Sequence, residues 1–286
     1  MSKMLQLFLG LILIILLPIW IFFISPEILK LPANFSTNAS MIHAENNRFN
    51  IGSGWEGKTI AISSSNIETI KISGNISTLQ TRFVVESLLG GTLFELNQTY
   101  AVNRQTRHDL PGGNDINGIA SILFPPGTNQ KSINFWSIEM GSPTPLKLVD
   151  SKIIQQLNTL HYHVENYVIN DSLGYDFLPL VPEKYKVLSN VSVDIYVEPI
   201  TGIIIDRQDS GTSYYADKDN KHIWDIAEWS NKYNDPTISF RVAEAKLKKS
   251  SYLQISTTIP IFITILGLVF ALSGLIHTRK NQKSKK

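Results

Sequence analysis

No cysteine occurs among the 286 residues. A disulfide framework and cysteine-based zinc sites are therefore excluded. Several sequence signatures are also missing: there is no P-loop, no dinucleotide fingerprint, no GxSxG and no HExxH. Nothing pairs a nucleophile with a base, so a non-enzymatic role without a cofactor is the expectation. A basic surplus is lacking too, once position along the chain is considered. All 24 acidic residues fall between Glu27 and Glu244, whereas of the 26 basic ones Lys3 and five tail residues lie outside the segment 25–258 between the two apolar stretches, leaving 20 within it. The central part thus carries about −4, which argues against nucleic-acid binding, since that needs a clustered basic face.

Charge is wholly absent from two stretches. The first, LQLFLGLILIILLPIWIFFI, runs from Leu5 to Ile24. A cleaved signal peptide has an apolar region of roughly 7–15 residues followed by a small-x-small site. Here the run has the length that a bilayer core of ~30 Å demands of a helix, and Ser25-Pro26-Glu27 follows without an Ala-x-Ala pattern. It reads as a retained anchor. Pro18 lies inside it, which is tolerated in lipid where neighbouring groups re-satisfy the freed carbonyl. The second stretch, IPIFITILGLVFALSGLI, spans Ile259–Ile276 and is followed at once by Arg279, Lys280, Lys283, Lys285 and Lys286. A basic cluster beside an apolar span marks the cytoplasmic side. Both termini are then cytoplasmic and the middle of the chain is extracellular, at the plasma membrane. The expected division is a short cytoplasmic N-terminus (1–4), a transmembrane helix (5–24), an extracellular β-rich domain (25–234), a helical stalk (235–252), a second transmembrane helix (253–276) and a basic tail (277–286).

Six Asn-x-Ser/Thr sequons, at Asn34, Asn38, Asn75, Asn97, Asn170 and Asn190, all lie between the two spans. They are glycosylation candidates in a host that modifies asparagine. On the second span Gly267, Ala271 and Gly274 share a helix face, and Gly10 offers a complement on the first. Small residues let helices approach closely in lipid. Pairing of the two anchors within one chain is the first reading, and a homo-oligomer the second.

Between the spans, short runs rich in β-branched and aromatic residues succeed one another: KTIAIS (58–63), IETIKIS (67–73), LQTRFVVESLL (79–89), TLFELNQTYAVN (92–103), GIASILF (118–124), INFWSIEM (133–140), LHYHVENYVI (160–169), VDIYVEP (193–199) and GIIID (202–206). They predict a mainly β, α+β domain: an antiparallel sheet or irregular barrel between two terminal transmembrane helices. In VDIYVEPITGIIID, Pro199 and Gly202 form a turn between two strands. DSKIIQQLNTL (150–160) reads as a short helix capped by Asp150 or Ser151. DRQDSGTSYYADKDNKHIWD, with Asp206, Asp209, Asp217, Asp219 and Asp225, reads as a polar loop. Its DKDNK begins like a calcium loop, but Lys221 stands at the third ligand position and no glycine follows. His161 and His163 flank Tyr162, so on a strand both imidazoles face one side. Two imidazoles fall short of the three protein ligands that zinc usually takes, so no metal is assigned. Asp235, followed by Pro236, reads as the N-cap of the stalk helix.

TYAVNRQT (99–106), VDIYVEPITGIIID and the ending AEAKLK…IPIFITILGLVFALSG resemble the two-anchor, porin-like PorA family of actinobacteria and archaea. The resemblance implies a cell-envelope membrane protein with an extracellular β-rich domain, and it carries over no catalytic residue. The plan is also similar to that of class B scavenger receptors, which hold a β-rich ectodomain between two terminal anchors. That likeness makes an apolar or lipid molecule the most concrete ligand, with a channel or transport component as the alternative.

Overall fold

The computed structural model describes residues 3–50, 54–57, 59–110, 123–136, 143–172 and 185–283. They divide into two compact units, residues 31–246 and the two chain ends taken together, 1–30 with 247–286. The first unit is built on one antiparallel sheet. Its strands are β1 (Ser36–Asn50), β2 (Gly54–Glu56), β3 (Thr59–Ser73), β4 (Ile76–Ser87), β5 (Thr92–Asn103), β6 (Ser132–Trp136), β7 (Pro143–Ile154), β8 (Leu157–Asn170), β9 (Lys186–Glu198), β10 (Ile203–Ala216) and β11 (His222–Tyr233). The main path runs β5-β4-β3-β1-β11-β10-β9-β8-β7-β6, with β2 attached to β1. The first long strand therefore pairs with the last, Met41 opposite Tyr233. A meander of hairpins grows outward on either side of that pair.

Most of these strands run 12 to 15 residues, longer than the usual five or six. Strands of that length cannot stay flat, because each twists right-handedly. Register shifts at Glu45/Asn47, Thr69/Lys71, Val85/Glu86, Leu148/Asp150, Val164/Tyr167 and Ile204/Asp206 mark bulges. Each adds local bend, and the sheet curls into a half-barrel. Its two edge strands come near enough for the rings of Tyr100 on β5 and Trp136 on β6 to meet edge-on at 6.1 Å.

Side chains fill the inside of the curl. Phe124, Leu146, Tyr162, Val193, Ile195 and Val197 form one cluster, and Leu31, Leu79, Tyr100, Val102 and Trp136 another. The interior is not purely apolar. Arg207 Nε donates to Asp209 Oδ1 at 3.1 Å, both residues being buried. Asp209 Oδ2 accepts from Asn231 Nδ2 at 2.7 Å, and Asn231 Oδ1 lies 2.7 Å from His43 Nδ1. This polar chain ties β10, β11 and β1 together across the middle of the sheet.

Helix α3 (Asp235–Leu253) follows β11 directly. Its cap is Asn234, one residue earlier than expected: Asn234 Oδ1 accepts from Thr237 N at 2.9 Å. Asp235 and Pro236 thus occupy the first helical turn, where a carboxylate and a missing N–H are both favourable. Ile238, Val242 and Ala245 pack with Met41, Phe83 and Ile205. Thr237 Oγ1 both accepts from Ser40 N and donates to Ser40 O, each at 3.1 Å.

Three expectations are corrected. Residues 150–160 are not helical; they are the ends of β7 and β8 joined by a two-residue turn, with Gln155 and Gln156 at φ 44° and 66°. Two successive positive φ values make the turn that matches strand twist, but Gln-Gln lacks the Asn-Gly signature that announces it. The supposed polar loop of 206–225 is mostly strand: Asp206 and Asp209 lie on β10 and Asp225 on β11. Asp217 holds the connecting turn, its Oδ1 accepting from the Asp219 and Lys221 amides at 2.9 Å each. The runs at 58–63 and 67–73 form one strand, β3, rather than two. The 118–124 run and the residues of 133–140 beyond Trp136 lie largely outside the described residues.

Gly202 closes the β9–β10 turn at φ 72°, and a Cβ there would stand 2.2 Å from Phe124 O. Backbone conformation and close approach both require glycine. The preceding Glu198 is fully buried, and its Oε2 accepts from Thr201 N at 2.8 Å and from Thr201 Oγ1 at 2.9 Å. Pro199 lies between them in the turn.

Asp109 is 3% exposed, and neither carboxylate oxygen has a hydrogen-bond partner among the described residues. Burial pushes its carboxyl up to about 6, and the Leu110 amide, already bonded to Ala101 O at 2.8 Å, offsets this only in part. A carboxyl raised by folding stabilises below its ordinary value near 4, and that contribution is lost as pH rises through about 6. Asp109→Asn removes the penalty of ionisation. Its stability gain over the parent, by thermal unfolding in detergent, is expected to be near zero at about pH 4 and to reach up to about 2 kcal/mol above about pH 6. A gain independent of pH would show that Asp109 ionises freely.

Candidate functional site: a histidine–carboxylate cluster

Four chemistry-bearing side chains meet where β7, β8 and β9 lie side by side. Alternation along β8 puts His161 and His163 on one face, with Tyr162 pointing the other way into the core. Alternation along β9 does the same for Asp194 and Tyr196, between the core residues Val193, Ile195 and Val197. The β8–β9 register then sets His163 opposite Asp194 and His161 opposite Tyr196. On β7 simple alternation would place Asp150 on the same side as Leu146 and Leu148. The Leu148/Asp150 bulge adds one residue and brings Asp150 opposite His161 instead. Re-aiming a side chain is a common role of a bulge.

Distances within the cluster are short. His161 Nε2 lies 2.6 Å from Asp194 Oδ1, and His163 Nδ1 lies 2.8 Å from the same oxygen. His161 Nδ1 lies 3.0 Å from Asp150 Oδ1. Tyr196 stacks on His161, ring centroids 4.5 Å apart, and fixes the imidazole plane. Lys152 Nζ stands 5.2 Å over the other partner, the Tyr196 ring. The His161, His163 and Asp194 side chains are 16%, 31% and 23% exposed, so the cluster is held by packing yet open to solvent.

Burial pushes the Asp194 carboxyl up, but the hydrogen bonds from His161 and His163 outweigh it and hold the group below the ordinary carboxylate value. The Tyr196 phenol is pushed up, first by burial and then by the charges of Asp194, Asp206 and Asp150. Asp206 is itself pushed up by burial, with the Arg207 amide and Lys232 and Lys152 opposing. Three carboxylates therefore act on one aromatic ring, with Lys152 and Lys232 as the nearby cations. The ligating atoms of His161, His163 and Asp194 all lie within 4.8 Å of one another.

Sequence reasoning placed the two histidines on one face but found no third group. Asp194 and Asp150 are 31 and 13 residues from His163, and only the strand register joins them. The remaining candidates lie elsewhere. The sequon residues Asn34, Asn38, Asn97, Asn170 and Asn190 are exposed, and Asn75 is half-buried in the β3–β4 turn. The DKDNK segment is the turn already described.

The second unit holds the small-residue candidates. Its helices are α1 (Lys3–Ile19), the short α2 (Ser25–Ile28) and α4 (Ile259–Lys283), with π-helical turns at Trp20–Ile24 and Gln254–Thr258. A Cβ on Gly10 would stand 2.5 Å from Ala271 N and 2.8 Å from Gly267 O, and one on Gly274 would stand 2.8 Å from Leu7. Gly10, Gly267, Ala271 and Gly274 thus come together in a contact within one chain. In the second π-turn Ile259 N bonds to Gln254 O rather than to Ile255 O. Pro260 has no N–H to offer in its place. Trp20 Nε1 donates to Ile255 O at 3.0 Å and satisfies it.

A half-barrel sheet accompanied by two helical stretches long and apolar enough to cross a membrane, Met4–Ile28 and Asp235–Ile276, defines the class: a β domain joined to helices of membrane-spanning character. The family follows from comparison. The model of the family described as Porin PorA matches residues 4–276, nearly the whole chain, and the chain belongs to that family. No curated protein matches it.

The absence of cysteine makes the helix contact easy to test. Leu13 Cβ would lie 3.3 Å from a Cβ on Gly267, close to the separation of a disulfide pair. Leu13→Cys combined with Gly267→Cys is expected to form an intramolecular disulfide in membranes. Adding Gly10→Ile is expected to cut its yield several-fold. A predominantly intermolecular disulfide would instead make the small-residue face an interface between chains.

Proposed function

We propose that this chain is a non-enzymatic membrane protein of the cell envelope. Its two apolar helices anchor it, both ends are cytoplasmic, and its β domain acts outside as a binding module. The observation that carries this reading is the placement of the two apolar helices at the two ends of a chain whose whole middle forms one β unit. The surface of that unit supports an aqueous setting. Exposed faces of β4 and β5 carry the Arg82–Glu95 pair, with Nε to Oε1 at 2.8 Å, and the exposed Asn97. Such groups are costly against hydrocarbon. The large side chains Tyr100, Tyr162, Phe124, Leu79 and Leu146 already fill the inside of the curl. A ligand site on the outer face at His161, His163 and Asp194 is therefore better supported than an apolar tunnel. The second reading is a channel or transport component, favoured by the description of the family as porin. In that case the helices would assemble the path.

Cysteine labelling in intact cells tests the topology. A cysteine at Asp219, in the β10–β11 turn, is expected to react with a membrane-impermeant maleimide, and one at Lys286 to react only after lysis. The reverse pattern would overturn the reading. Reconstitution into planar bilayers is expected to give no discrete conductance steps, and reproducible steps would favour the channel reading.

A further inference from the structure

We infer that His161, His163 and Asp194 form a binding site for a first-row divalent transition-metal ion, zinc above all, with Asp150 orienting His161 from behind. The inference concerns the ligand of the proposed binding module but does not depend on its topology, because metal binding is read on the purified protein whichever side the domain faces.

The hydrogen-bond count around His161 is the first support. Both of its nitrogens face carboxylate oxygens, Nδ1 toward Asp150 at 3.0 Å and Nε2 toward Asp194 at 2.6 Å. A neutral imidazole has one N–H and one lone pair. Whichever carboxylate that N–H is directed at, the lone pair on the other nitrogen faces a carboxylate oxygen, which is repulsive unless a cation lies between them. A proton can fill that place, and so can a metal ion. His163 Nδ1 converges on the same oxygen at 2.8 Å. Two imidazole nitrogens on β8 therefore converge on one carboxylate oxygen of β9, and the three ligating atoms lie within 4.8 Å of one another.

Ligand chemistry is the second support. Two imidazoles and a carboxylate suit zinc, nickel, copper or ferrous iron, whereas calcium and magnesium take oxygen ligands. A tetrahedral zinc site spreads its ligand atoms to ~3.3 Å, from bond lengths of about 2.0–2.1 Å. The present nitrogen–oxygen separations of 2.6 and 2.8 Å would open by less than about 1 Å to admit the ion, and the two nitrogens lie within 4.8 Å of each other. Three protein ligands leave one or more positions open, and the partial exposure of all three side chains gives an ion and its remaining ligand a way in.

Asp150 is the third support. Metal-bound histidines characteristically give their other N–H to a carboxylate, which fixes the tautomer and raises ligand basicity. The β7 bulge supplies that partner, and Tyr196 stacking holds the ring plane. A second close His–Asp pair, His222 with Asp225 at 2.8 Å, is half exposed and joins one histidine to one carboxylate, with Tyr214 tilted against the ring at 4.8 Å.

The test uses full-length protein in detergent micelles, purified without a polyhistidine tag and stripped with chelator. Titration with Co²⁺ is followed by visible d–d absorption, Zn²⁺ is then added to displace it, and bound metal is counted by elemental analysis. One ion per chain is expected, with the cobalt bands lost in His163→Ala and unchanged in His222→Ala. Asp150→Asn keeps all three ligands and is expected to weaken Zn²⁺ binding by about 10–100-fold. Metal-free thermal unfolding checks that each variant is folded, and if His163→Ala is not, the Asp150→Asn result and the parent stoichiometry decide. Failure of the folded parent to take up an ion, or cobalt bands that survive His163→Ala, would overturn the site. Undiminished affinity in Asp150→Asn would overturn the orienting role of Asp150.

Discussion

Everything in the β unit hangs on the pairing of β1 with β11. These strands are the first and last long ones of the domain, yet they lie side by side at its centre, Met41 opposite Tyr233 and Ala44 opposite Ser230. Closing a loop of nearly the whole domain is entropically costly and slow to find. The pair is accordingly held by more than its ladder. The chain His43–Asn231–Asp209–Arg207 crosses it, and Thr237 at the start of α3 clasps the backbone of Ser40. With the central pair fixed, every further strand is added by a local hairpin, whose cost is small. The same pairing brings the entry and exit of the domain together, so that Ser40 O accepts from Asn234 N at 3.2 Å.

The hairpins were largely legible in the sequence and the central pair was not. Thr92–Asn103 stands out because Leu93, Phe94, Leu96, Thr99, Tyr100 and Val102 cluster between Gly91 and Arg104, and the structure returns it as β5 with the same ends. The β9–β10 turn is legible because proline and glycine carry their geometry with them. Gln155-Gln156 is not, since glutamine normally favours helix, and the surrounding run fits a helical pattern as well as an alternating one. Ser36–Asn50 escaped notice because the first half of the strand is built largely from Ser, Thr, Asn and Ala, and the burial of Ala39 and Ala44 arises from neighbouring strands. The polar segment of 206–216 escaped for a related reason: Arg207, Asp209 and Ser213 point into the core, where partners satisfy them. A pattern read for apolar periodicity is blind to a buried polar face.

The same limit applies to the candidate site. Alternation on β8 makes the two histidines neighbours, and nothing further is local. Asp194 depends on the register of β9. Asp150 depends on a bulge, which adds a residue without a sequence signature. Bulges serve two ends here: they bend long strands enough to curl the sheet, and one of them turns a carboxylate from the inner face to the outer. Geometry adopted for curvature thus adds Asp150 to a cluster that straight strands with the same residues would leave at His161, His163 and Asp194.

In the helical unit the prolines play a comparable part. Pro26 and Pro260 each follow closely on a π-turn, where the last amides reach back five residues, Ser25 N to Trp20 O and Ile259 N to Gln254 O. A proline in a helix leaves a carbonyl without its donor, which is tolerable in water and expensive in hydrocarbon. The indole of Trp20 meets that need at Ile255 O, while glycines nearer the chain ends bring α1 and α4 close enough for backbone to touch backbone. Backbone polarity is satisfied between the helices, and their outward faces are left to apolar side chains such as Phe8, Ile15, Phe22, Phe262 and Val269. The opposite distribution holds in the sheet, where apolar side chains fill the inside of the curl and Arg82, Glu95 and Asn97 stand exposed. A strand-built pore requires an apolar outer band. Among the described residues of this member of the Porin PorA family, the helices carry an apolar outward surface of membrane-spanning length, whereas the exposed strand faces mix charged side chains with apolar ones such as Leu93 and Ile153.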